Sequence, residues 1–147
     1  MLITTATDAP LLLDTHVWIW LLDGVKGKLS GNCLGALRRA SREAQVWISA
    51  ITIWEVATLE AKGKITLSMD CRAWVEAGLR APGVRLAELA PSIAIDSTRL
   101  PGGFHADPAD RILVATARQR KATLVTRDAA ILEYSKLGHV DALDAGS

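Results

Sequence analysis

Cysteine is scarce in this sequence. Cys33 and Cys71 are the only two, and they stand in neither a CxxC pair nor a His-rich spacing. They read as buried thiols of a reducing compartment rather than as a disulfide. Long apolar runs are absent too, and none approaches the roughly 18 residues of a membrane span. Met1 to Pro10 has no basic start and no apolar run, so the expectation is no signal peptide and a cytoplasmic protein. Charge of one sign is also missing, with a formal net charge of +1. That argues against a general nucleic-acid coat protein, whose affinity rests on many phosphate contacts. An enzyme on nucleic acid stays open, because local basic groups can coexist with an acidic centre. Arg38, Arg39 and Arg42 form one such group, and Arg118, Arg120 and Lys121 another, each read most simply as a solvated helix face. No P-loop, GxGxxG, internal repeat, linker or low-complexity segment is present.

What remains is a chain of 147 residues, half of them apolar, the size of one common domain. Such a domain buries roughly 68–70% of its unfolded surface, enough for a core without staples. Residues 1–10 are read as a tail and 11–147 as the domain. Leu11 to Leu13, ending on Asp14, is a buried strand. Thr15 is placed to cap a helix over His16 to Leu22, and Ser30 a second through about Ala44. Gln45 to Ser49 is a strand, and Ser49 or Thr52 opens a helix that stops near Lys62 and Gly63. A helix is expected from Ser68 to Pro82, with Trp74, Val75 and Leu79 inward. A strand follows at Val84 to Leu89, and a short helix at Pro91 to Ser97. Asp107 caps a helix that begins at Pro108 and carries Asp110 in its first turn. Ala122 to Thr126 is a strand ending near Asp128, followed by a short helix and a last strand at His139 to Leu143. Strands alternating with helices predict a doubly wound α/β sheet.

That architecture places the acids. Asp14 closes the first strand, Glu55 lies in the first turns of the helix after the second, Asp110 starts its helix and Asp128 closes a later strand. In an open parallel sheet, strand C-termini and the following helix N-termini share one edge, where ligands bind. Each acid taken alone has a plain structural reading as a cap or a surface charge. Together at one edge they form a costly cluster, because neighbouring like charges raise one another's pKa. A hard cation would remove that cost. Mg²⁺ takes carboxylate oxygens while keeping waters, and one or two such ions suit phosphodiester hydrolysis.

The segments LLLDTHVWIWLL, ISAITIWEVATLEAKGKI, and HADPADRILVATA followed by LVTRD resemble a PIN-domain ribonuclease, and more narrowly the VapC-type toxins of bacterial toxin–antitoxin pairs. The resemblance covers nearly all of the chain after Pro10. It implies a PIN-like three-layer α/β/α fold with a central parallel sheet, Mg²⁺ or Mn²⁺, cleavage of single-stranded RNA, a homodimer and a cognate antitoxin. It carries the family's acids onto Asp14, Glu55, Asp110 and Asp128, with Asp107 auxiliary and Thr15, Ser49 and Thr126 as polar positions nearby. His16 and His105 are read as structural.

Other classes fit less well. A phosphoacceptor receiver expects paired acids after its first strand, which are missing. A haloacid-dehalogenase-type phosphatase wants a second Asp at the position His16 holds. The opposing reading is a catalytically silent PIN-like module that binds protein or RNA, with the acids as relics. Trp18, Trp20, Trp47, Trp54 and Trp74 are expected mostly in the core. Trp18 and Trp20 cannot share a helix face, so one of the two is expected at a subunit or antitoxin interface, with base stacking as its rival use.

Overall fold

The computed structural model describes residues 9–147, so all but the last two positions of the expected tail lie outside the described residues. In chain order the elements are β1 (Leu11–Leu13), α1 (Thr15–Leu22), α2 (Gly31–Arg42), β2 (Val46–Ser49), α3 (Ala50–Ala61) and α4 (Cys71–Arg80). Then come β3 (Val84–Ala87), α5 (Pro91–Ser97), α6 (Pro108–Arg120), β4 (Thr123–Thr126), α7 (Ala129–Lys136) and β5 (Asp141–Asp144). The strands form one parallel sheet in the order β3-β2-β1-β4-β5. The chain works outward from β1 to β3 on one side, then crosses to β4 and β5 on the other. The direction of winding reverses between β1 and β4, the switch point at which open α/β sheets form a crevice.

Strand alternation builds two cores. Leu11, Leu13 and Val125 pack on one face with Val17, Trp18, Leu37, Val56 and Trp74. Leu12 and Leu124 pack on the other with Leu113, Val114, Ile131 and Tyr134. The sheet is therefore covered on both sides, as the wholly apolar central strand β1 requires.

Local chemistry sets the helix starts, and here several expectations are corrected. Asp14, not Thr15, caps α1: its carboxylate accepts from the Thr15 amide at 2.7 Å. The Thr15 hydroxyl is engaged elsewhere, against Glu55. Helix α4 starts at Cys71 under Asp70 rather than at Ser68, whose hydroxyl donates to Asp23 instead at 2.7 Å. Within α4, Trp74 is buried while Val75 and Leu79 are only partly so. Helix α2 stops at Arg42, because Ala44 takes a left-handed φ of 54° that no helix continues. Strand β3 ends at Ala87, short of Leu89, and β5 runs over Asp141–Asp144 rather than His139 to Leu143. Cys33 is buried as expected, whereas Cys71 is partly exposed at the start of α4. Trp54 is not in the core; it stands 59% exposed on the outer side of α3.

Candidate functional site

At the β1–β4 switch point a cavity of about 350 Å³ opens, lined by Asp14, Thr15, His16, Val17, Trp20, Glu55, Asp107, Asp110, Arg127 and Asp128. Each carboxylate arrives there because its element begins or ends at this edge. Asp14 follows β1 directly and Asp128 follows β4 after Arg127, and both are helix N-caps. Asp107 caps α6 by accepting from the Asp110 amide at 3.0 Å, which sets Asp110 one turn further in. Glu55 reaches the cavity from α3, one helical turn past its start at Ala50.

Two threonines hold this arrangement together. The buried Thr126 hydroxyl donates to Asp14 at 2.6 Å and accepts from the Asp128 amide at 2.9 Å, joining the ends of β1 and β4. Thr15 donates to the Glu55 carboxylate and lies 3.4 Å from the Thr52 hydroxyl, joining α1 to α3. Ser49 is also buried, yet its hydroxyl caps α3 by accepting from the Ile51 amide at 3.1 Å and does not line the cavity.

The electrostatics are one-sided. Among the described residues the ion pairs are His105–Asp110, at 3.2 Å, and the surface pair Lys136–Glu133. Among the described residues no lysine or arginine is ion-paired with any of the five acids. Burial pushes the Asp110 carboxyl up to about 7, and Asp14, Asp107, Asp128 and Glu55 push it the same way. Burial also raises Asp14, against the lowering effect of its bonds from Thr126 and Thr15. Glu55 is raised first by burial and then by Asp14 and Asp107, against the Thr15 bond. Burial and mutual repulsion disfavour the ionised carboxyls, a cost that a hard divalent cation would relieve, and the oxygen donors present would suit Mg²⁺ or Mn²⁺.

All four main acids and Asp107 thus share one cavity. Both histidines stand beside the acids. His16 lines the cavity, and His105 places a ring nitrogen within 4.8 Å of oxygens of both Asp110 and Asp128. Arg111 was not singled out by the sequence. It anchors the loop carrying His105, donating to the carbonyls of Ser97, Phe104 and His105 at 2.8, 2.8 and 3.1 Å. Trp20 forms a wall of the acidic cavity together with Arg127.

A three-layer α/β/α domain with an acid-lined crevice at its switch point defines the class. The PIN domain family model matches residues 11–137, and the chain belongs to that family. It is 34% identical over 118 residues to Ribonuclease VapC22 of Mycobacterium tuberculosis, which covers 80% of this chain and 86% of that protein. Its fold is similar to the DNA-bound VapBC structure from Salmonella typhimurium, with a TM-score of 0.66, 18% identity, and coverage of 92% of this chain and 98% of that one. FitAcB from Neisseria gonorrhoeae matches with a TM-score of 0.60 and 22% identity, over 92% of this chain and 97% of that one.

Proposed function

We propose that this protein is a metal-dependent endoribonuclease that hydrolyses phosphodiester bonds of single-stranded RNA in the cytoplasm, and that it serves as the toxin of a toxin–antitoxin pair. The observation that carries the reading is the gathering of Asp14, Glu55, Asp107, Asp110 and Asp128 around one cavity with no lysine or arginine paired to them among the described residues. Family membership and the likeness to a protein named as a ribonuclease support it.

Asp14, Glu55, Asp110 and Asp128 would hold Mg²⁺ or Mn²⁺, with Asp107 auxiliary and the His105 imidazole beside Asp110. A divalent ion held there would supply an acidified water and would neutralise charge on the phosphate. The chain's own part is positional. Thr126 and Thr15 fix the orientations of Asp14 and Glu55, so the donor oxygens are set before substrate arrives. Asp110, with its raised pKa, loses its proton at neutral pH once a cation is near. Attack of water in line with the leaving 3′-oxygen leaves a 5′-phosphate and a 3′-hydroxyl.

A homodimer and a cognate antitoxin belong to the same reading. Toxin–antitoxin complexes share the fold, and the exposed Trp54 offers apolar surface for a partner. Purified protein should cut single-stranded RNA with Mg²⁺ or Mn²⁺, stop on EDTA and leave 5′-phosphate ends. Cleavage that persists in EDTA with 2′,3′-cyclic ends would defeat the mechanism. Expression alone should halt growth, and co-expression of the cognate antitoxin should restore it.

A further inference from the structure

We infer that Trp20, flanked by Lys28 and Arg127, is the seat for a nucleotide adjoining the cleaved phosphate, and that this wall sets both RNA affinity and the choice of bond. The inference rests on the ribonuclease reading above and assigns the part of the cavity which that reading leaves unused. Trp20 sits two residues after Trp18 on α1. Trp18 points into the core, so Trp20 is turned to another side of the helix, into the acidic cavity. The Lys28 ammonium lies 5.5 Å from its ring centroid and the Arg127 guanidinium 5.9 Å, both within reach of the π-face. The His16 ring lies 5.8 Å away, tilted by 46°.

Arg127 is held in place. Its Nη1 donates to the Lys28 carbonyl at 3.1 Å, and a Cβ added at Gly146 would come within 2.8 Å of its Nε. The guanidinium thus packs on the backbone just beyond β5. Yet neither Arg127 nor Lys28 is ion-paired with a carboxylate among the described residues, although Arg127 shares its cavity with five. Cations present merely to offset those acids would pair with them. These two instead stand beside an aromatic ring, a combination that fits a ligand both anionic and aromatic. A nucleotide of single-stranded nucleic acid is such a ligand: its phosphate meets the cations, and its base, unstacked from a complementary strand, meets the ring. With a net charge of only +1 the molecule has little general attraction for RNA, so local contacts of this kind carry the affinity.

The test measures binding of a fluorescein-labelled, mixed-sequence single-stranded RNA to the full chain carrying Asp14→Asn, which leaves the RNA uncut. Trp20→Leu should weaken binding roughly 10- to 100-fold, and Trp20→Phe should recover most of the loss. Arg127→Gln and Lys28→Gln should each reduce the slope of log affinity against log salt by about 0.7. Arg118→Gln, at the far end of α6, should change neither. With Asp14 restored, mapped cut positions should shift in Trp20→Leu. Melting curves establish that each variant folds, and the Gln variants decide the matter if Trp20→Leu does not. Folded wall variants that bind and cut like their parents, while the wild type cleaves RNA, overturn the seat and leave the nuclease standing. Equal losses in Arg118→Gln also overturn it, because the attraction is then general. A wild type that does not cut, and whose Asp14→Asn form does not bind, overturns both.

Discussion

Thr126 and Asp14 share one hydrogen bond, but removing one partner or the other should move stability in opposite directions. The Thr126 hydroxyl is fully buried between Asp14 and the Asp128 amide. Thr126→Val keeps the shape and leaves both groups without this partner, a loss of about 1–3 kcal/mol for a buried polar group. Asp14→Asn keeps the cap and the volume while removing one charge from the repelling cluster. In EDTA it should therefore melt at or above the wild-type temperature, with cleavage reduced by orders of magnitude. Melting both variants in EDTA checks the pair; equal destabilisation would make Asp14 a structural residue and no more. At this scale the acids were legible in the sequence, because a carboxylate at a strand end or helix start has one edge to go to. His105, Trp20 and Arg127 were not, because whether such side chains enter a cavity depends on loop paths and rotamers that no spacing encodes.

Helix packing offers a sharper contrast between two glycines that look alike in sequence. Gly35 lies in α2 and Gly78 in α4, both inside helices, where Gly is less favourable than Ala by roughly 1 kcal/mol. A Cβ at Gly35 would meet only the Arg39 side-chain tip at 3.4 Å, so Gly35→Ala should stabilise by about 0.5–1 kcal/mol. A Cβ at Gly78 would come to 2.6 Å from Leu22 and 2.8 Å from the Trp18 ring. That ring is fixed in turn against Trp74, with centroids 4.8 Å apart, and the Trp74 indole donates to Asp23 at 2.8 Å. With little room to yield, overpacking at about 1–3 kcal/mol should outweigh the helix gain, and Gly78→Ala should melt lower. Differential scanning calorimetry of the two variants decides it; the same sign for both would mean α1 and α4 do not pack this closely. Elements themselves were legible, since apolar runs of three to five residues between capped helices can hardly be anything but buried strands. Helix starts were less so wherever two capping residues compete, as with Asp14 and Thr15, or Ser68 and Asp70. The strand order β3-β2-β1-β4-β5 was beyond local reading, because it depends on which strands meet across the whole chain.

For the molecule as a whole, the acid cluster makes stability depend on pH with an unusual sign. Most acids that matter to a fold have depressed pKa values, and such proteins gain stability as pH rises from the acid range. Here Asp110 is raised to about 7 from 3.8, and Asp14 and Glu55 are raised as well. Between pH 4 and 7 the folded chain therefore holds a proton at Asp110 that the unfolded chain has already released. The stability this contributes is fully present below about pH 4 and is lost as pH rises through about 7, with a slope of at most about 1.4 kcal/mol per pH unit for one proton. In EDTA the wild type should lose melting temperature between pH 5 and pH 8 relative to Asp110→Asn, which has no such proton to release. Millimolar Mg²⁺ should reverse the trend, because a cation replaces the protons and binds best where the carboxyls are ionised, stabilising by RT ln(1 + [L]/Kd). The gap between melting temperatures with and without Mg²⁺ should thus widen as pH rises in the wild type and be smaller at each pH in Asp110→Asn. A wild type whose melting is equally indifferent to Mg²⁺ at pH 5 and pH 8 would mean that the five carboxylates share a cavity without sharing an ion.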